Sequence, residues 1–103
     1  MAIDFLQIAN SFQEELQQFL RTTRQTAYSA LQQAAAAQLQ AKVNEVEGFT
    51  YALGEEQWRA LSESQRWGYL RLESYVGTAL HELRQLQRTM REVQDTTRHS
   101  GLQ

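Results

Sequence analysis

The chain has no cysteine and no proline, and each absence excludes something. Without cysteine there are no disulfides, no thiolate zinc ligands and no cysteine nucleophile, a composition that accords with a reducing compartment. Without proline nothing in the backbone forces a helix to break, and no proline-rich linker divides the 103 residues. Lysine and arginine are missing from the first twenty residues, whose apolar positions are interrupted by Gln, Asn and Glu. Neither a secretory signal nor a membrane span is expected there, so the chain reads as cytoplasmic and bacterial. An excess of positive charge is also lacking. The formal net charge is -2 at pH 7, which argues against a general nucleic-acid binder.

Chemistry-bearing groupings are equally scarce. His81 and His99 are the only histidines. Neither forms an i,i+4 pair with another, and the Glu-x-x-His ligand pattern of di-iron bundles does not occur, so no metal and no cofactor is expected. Glu14-Glu15 and Glu55-Glu56 are sequence neighbours, which a helix points about 100° apart rather than toward a shared site. No glycine-rich phosphate loop and no serine in a nucleophile elbow appears. The expectation is a protein that is not an enzyme.

What the chain does contain is a heptad pattern. Tyr69, Leu72, Val76, Ala79, Leu83, Leu86, Met90, Val93 and Thr97 recur at alternating steps of three and four residues. This is an a/d seam held for four heptads, an apolar stripe that a helix cannot bury alone. Leu70 and Leu80 lie beside the seam and Tyr75 on its other flank, widening it toward a bundle. Gly68 and Gly77 both interrupt this helix, and Gly77 falls outside the seam.

Upstream, Asp4 is a candidate N-cap, and Phe5, Ile8, Phe12, Leu16, Phe19 and Leu20 form an amphipathic face. Thr22, Thr23 and Thr26 weaken helix propensity between Arg21 and Ser29. Tyr28 and Leu31 resume the periodicity, and a continuous helix over about residues 4–46 is expected, on the order of 65 Å long. Gly48 is placed to end it with a left-handed cap. A short helix over about 55–61 follows, then Ser62 and Gln65 offer a capping box for a last helix over about 63–97, with residues 98–103 frayed. The expected fold is all-α, one domain over 1–103. It is a long helical hairpin with a short middle helix, pairing into an antiparallel helical bundle or coiled coil. A monomeric three- or four-helix bundle is the alternative, and it requires a break between Arg21 and Ser29.

Aromatic residues concentrate around the middle: Phe49, Tyr51, Trp58, Trp67, Tyr69 and Tyr75. The heptad register places Trp67 outside the seam. Packing it back on the 48–61 segment is the favoured placement, and exposure for a partner is the other. Arg84, Arg88, Arg91 and Arg98 form a stripe that reads first as a solvated face and second as a docking surface for an acidic partner. Length, hairpin layout and a mid-chain Trp beside a Gly resemble the small helical-hairpin proteins exported by type VII secretion. Their turn motif is Trp-x-Gly; here Trp67 and Gly68 are adjacent and lie inside the last helix, so nothing of that family is carried over.

These readings together imply a homo-oligomeric protein–protein interaction module: an adaptor, assembly factor or small chaperone. Its oligomer seam is Tyr69 to Val93, and its partner contacts are drawn from Phe49, Tyr51, Trp58, Trp67, Arg84, Arg88 and Arg91. A structural subunit of a larger hetero-complex is the alternative. A nucleic-acid accessory using the Arg stripe ranks lower, and a membrane-surface role for residues 5–20 lower still.

Overall fold

In a computed structural model the described residues form four helices: α1 Phe5–Gln25, α2 Ser29–Tyr51, α3 Glu55–Ala60 and α4 Glu63–Gly101. The structure describes residues 3–26 and 29–101, and the side chains of α4 as far as residue 92. The fold is an all-α bundle in which α1 packs on both α4 and α2.

Asp4 starts α1 as its spacing implies. Extended at the N-cap, it accepts a hydrogen bond from the Gln7 N–H at 3.2 Å. Phe5, Ala9, Phe12, Leu16 and Phe19 are the buried face of the helix, a four-three-four-three spacing that turns one stripe inward. Three phenylalanines on that stripe each contribute about 2–3 kcal/mol of burial, which makes α1 the wedge of the core.

The continuous helix expected over 4–46 is not formed. Helix α1 ends at Gln25, and Thr26 takes an extended conformation with its N–H on the Thr22 carbonyl at 3.2 Å. The cause is local and tertiary together. Thr23 turns its hydroxyl onto the Leu20 carbonyl at 3.1 Å, the back-bonding that loosens a helix. Gln32, from the first turns of α2, donates to the Thr26 carbonyl at 2.9 Å and reaches the Thr23 carbonyl at 3.4 Å. A side chain beyond the break thus satisfies carbonyls that the helix end leaves open. Tyr28 lies outside the described residues, and Leu31, the other residue expected to carry the periodicity through, is exposed.

Helix α2 returns antiparallel to α1. Val46 and Phe49 lie near Ile8 and Phe12, and Ala35 and Leu39 near Phe19 and Thr22. Leu39, Val43 and Val46 are its buried residues. Gly48 does not cap it: the helix runs on to Tyr51, and no described glycine has a positive φ. A Cβ at Gly48 would meet nothing within 4 Å.

The seam of α4 is filled from within the chain. Leu72 and Ala79 are fully buried and Leu83 nearly so, while Tyr69, Val76 and Leu86 pack against the same core. The need for a second copy to cover this seam disappears once the break at Thr26 lets two helices, rather than one, lie against it. Val93, Thr97, Arg98 and His99 fall outside the described side chains. The helix itself extends past the expected end to Gly101.

At 39 residues α4 is about 58 Å long, nearly twice α1. It sets the long axis of a molecule measuring 64 × 24 × 18 Å, with a radius of gyration of 17.4 Å. A compact chain of this length would have about 13 Å. Gln33, near the start of α2, reaches the Met90 sulfur at 3.9 Å, so the last turns of α4 run beyond the hairpin that covers the rest.

Candidate interaction site at the aromatic junction

Three helix ends meet where α3 joins α4. Ser62 accepts the Gln65 N–H at 3.2 Å, the forward half of the expected capping box. The reciprocal half is absent because the Gln65 side chain is used elsewhere. Its Oε1 accepts the Phe5 N–H at 2.6 Å, and its Nε2 donates to Asp4 Oδ1 at 3.0 Å. One amide therefore ties the start of α4 to the start of α1, sixty residues away in the chain. The Gln65 amide and the Gln7 N–H hold the Asp4 carboxyl below its ordinary pKa, since both bond the charged form.

Gly68 makes this clasp sterically feasible. A Cβ built there would stand 2.6 Å from the Leu6 nitrogen and 2.8 Å from the Phe5 carbonyl carbon. The backbones of α1 and α4 touch at this point, and only a residue without a side chain lets them.

The aromatic side chains divide into two groups. Trp58 meets Tyr69 edge to face at 5.2 Å between centroids, and Tyr69 meets Phe5 at 5.3 Å. Arg66 lies over the Trp58 ring at 5.7 Å and donates to the carbonyls of Trp58 at 3.3 Å and Arg59 at 2.9 Å. It closes the C-terminal end of α3 while its cation faces the indole. Burial raises the Tyr69 pKa, and the Glu73 carboxylate adds to it by hydrogen bond and charge. Trp58, Tyr69 and Phe5 are thus the packing of the junction, with Trp58 half-buried there.

The second group points outward. Trp67 is 60% exposed and Leu70, one turn on, 49% exposed. The expectation that Trp67 folds back on the 48–61 segment is not met: Trp67 stands mostly in water, and Trp58 of that segment packs on Tyr69. Tyr51 at the end of α2 is 88% exposed, and Phe49 borders a shallow hollow with Ile8 and Val46. Arg84, Arg88 and Arg91 are all exposed, but Arg84 is 17 residues, about 25 Å of helix, beyond Trp67. Aromatics and arginines do not form one site.

A groove that the seam pattern did not reveal runs between α2 and α4. It has a volume of about 510 Å³, with Glu47, Thr50 and Tyr51 on one wall and Tyr69, Glu73, Val76, Gly77 and Leu80 on the other. The available signal was the pair Gly77 and Leu80 flanking the seam; their relation to Glu47 depends on how α2 lies against α4.

Among the described residues no group of three or more His, Cys, Asp or Glu is placed to hold a metal ion, and His81 stands exposed. No helix of the described residues is long and apolar enough to cross a membrane. Comparison with protein-family models, curated proteins and solved structures finds no match for this chain.

Proposed function

We propose that this chain is a non-enzymatic helical protein–protein interaction module, an adaptor, assembly factor or small chaperone. In this reading it associates with itself and offers the outer surface around Trp67 to a second protein. The observation that carries the reading is the division among neighbouring aromatics. Trp58, Tyr69 and Phe5 are used in packing, whereas Trp67 and Leu70 stand exposed on the same rigid junction. An indole held in water on a fixed backbone is the residue type that most often anchors a protein interface, since it supplies a large area at little cost in conformational freedom. The lack of cysteine supports a reducing, cytoplasmic setting.

A photo-crosslinking residue placed at position 67, in the cells that make the protein, tests this. A discrete adduct with a different protein at position 67, absent when the probe replaces the exposed Glu14, is the expected result. The accompanying Trp67→Ala variant should lose that adduct's partner while its unfolding free energy stays within about 0.5 kcal/mol of the parent. No adduct, or the same pattern from both positions, would remove the Trp67 contact.

A further inference from the structure

Around α4, steps of three and four residues put Glu73, Gly77, Leu80 and Arg84 within about 60° of one another. The first three of these residues line the α2–α4 groove, together with Glu47 across it. Arg84, Arg88 and Arg91 continue the same edge of α4 and are exposed. Along this edge Glu73 is the acidic position and Arg84, Arg88 and Arg91 are the basic ones, while Arg66, on the same side nearer α3, is held over the Trp58 ring. Three and four residues from Arg84 stand Leu80, His81, Gln87 and Arg88, none of them acidic. The corresponding neighbours of Glu73 are Tyr69, Leu70, Val76 and Gly77, none of them basic. Neither charge finds an opposite partner along its own helix. Gly77 adds a second observation. A Cβ there would meet nothing within 4 Å, so no contact inside the chain accounts for a residue that weakens a helix interior.

We propose that the groove is occupied by a second copy of the chain, its α4 lying antiparallel on the first about a two-fold axis between positions 78 and 79. About that axis position 73 faces 84, and position 77 faces 80. Glu73 of each copy meets the partner's Arg84, and Leu80 of each copy covers the bare backbone at the partner's Gly77. Both contacts occur twice, as an isologous interface requires. Glu47, on the facing α2 wall, adds to the negative field that the partner's Arg84 and Arg88 approach. Half-buried Val76 and Leu80 form the apolar centre, with the charges toward the rim. This inference rests on the self-association in the proposed function and is independent of the Trp67 contact.

The test is the solution mass of the purified full chain by light scattering over a wide concentration range. The parent chain should show a monomer–dimer equilibrium that weakens with added salt. Glu73→Arg and Arg84→Glu should each weaken the dimer about tenfold or more, because each sets like charges opposite one another. Mixed in equal amounts, the two variants should dimerise with each other, since every 73–84 pair across the axis then joins opposite charges. Gly77→Arg, whose side chain enters open space within the chain, should keep its helicity and thermal transition yet fail to dimerise.

A parent chain that stays monomeric throughout, single charge variants that dimerise like the parent, or a mixture no better than either alone would each overturn the proposal. Trp67→Ala should leave the dimer intact. If that substitution abolishes the dimer while the charge variants do not, the self-contact lies at the aromatic junction and the groove assignment falls.

Discussion

Gly68 and Gly77 lie nine residues apart on α4, two and a half turns, and so face opposite sides of the same helix. At Gly68 the backbone of α1 is so close that a Cβ would stand 2.6 Å from the Leu6 nitrogen. At Gly77 there is open space. The same residue type marks a closed flank in one place and an open one in the other. On the closed flank the Gln65 amide bonds Phe5 and Asp4, and Tyr69 packs on Phe5. On the open flank α2 stands off enough to leave a groove, lined by half-buried Val76 and Leu80 together with the acids Glu47 and Glu73. One flank of α4 completes the fold of a single chain, and the other is left open beside the α2–α4 groove.

The comparison breaks most visibly at Gly68. Gly68→Ala forces the start of α1 away from α4, and an unfolding free energy lower by about 2–3 kcal/mol is expected from denaturant titration, despite alanine's better helix propensity. A smaller loss, about 1–2 kcal/mol, is expected for Gln65→Ala, which leaves the Phe5 N–H without its acceptor.

The same clasp has a pH signature. The folded-state pKa of Asp4 is depressed, so its contribution is present above the unfolded value and lost as pH falls below about 4. In Gln65→Ala the largest cause of the depression is gone, and the part of the acid-side decline due to Asp4 should flatten. Melting curves at a series of pH values show whether it does. The smallest effect has the opposite sign. In dilute solution, where self-association does not contribute, Gly77→Ala should raise stability by up to about 1 kcal/mol, because the methyl group meets nothing and the helix gains propensity. A destabilised Gly77→Ala would mean that the open flank is not open.

Several local features of the fold were legible in the residues. Asp4 and Ser62 begin helices as their positions imply, with side-chain oxygens accepting the N–H three residues on. The stripe Phe5–Phe12–Leu16–Phe19 and the seam Leu72–Ala79–Leu83 are buried faces, as their periods require. The break at Thr26 was less legible. Three threonines weaken the helix there, but the deciding interaction is Gln32 reaching back to the carbonyls of Thr23 and Thr26, a bond between two helices that no local pattern encodes.

The candidate site shows the same division. A cluster of aromatics was visible and the heptad register sets Trp67 outside the seam, yet the register does not decide whether that indole packs back or stays in water. Arg66, bonding the end of α3 and covering the Trp58 ring, fixes which indole packs and which remains in water.

The sequence by itself determined that this protein is helical, that Asp4 and Ser62 begin helices and which stripe of α1 and α4 avoids water, because propensity, capping and periodicity act within a few residues. Tertiary structure alone decided that α1 and α2 fill the α4 seam and that Gly68 is a contact while Gly77 is a gap. It also decided that Gln65 leaves its own helix to hold another. These outcomes depend on distances between segments far apart in the chain. Such distances are set by where the first helix breaks and how the resulting pieces pack.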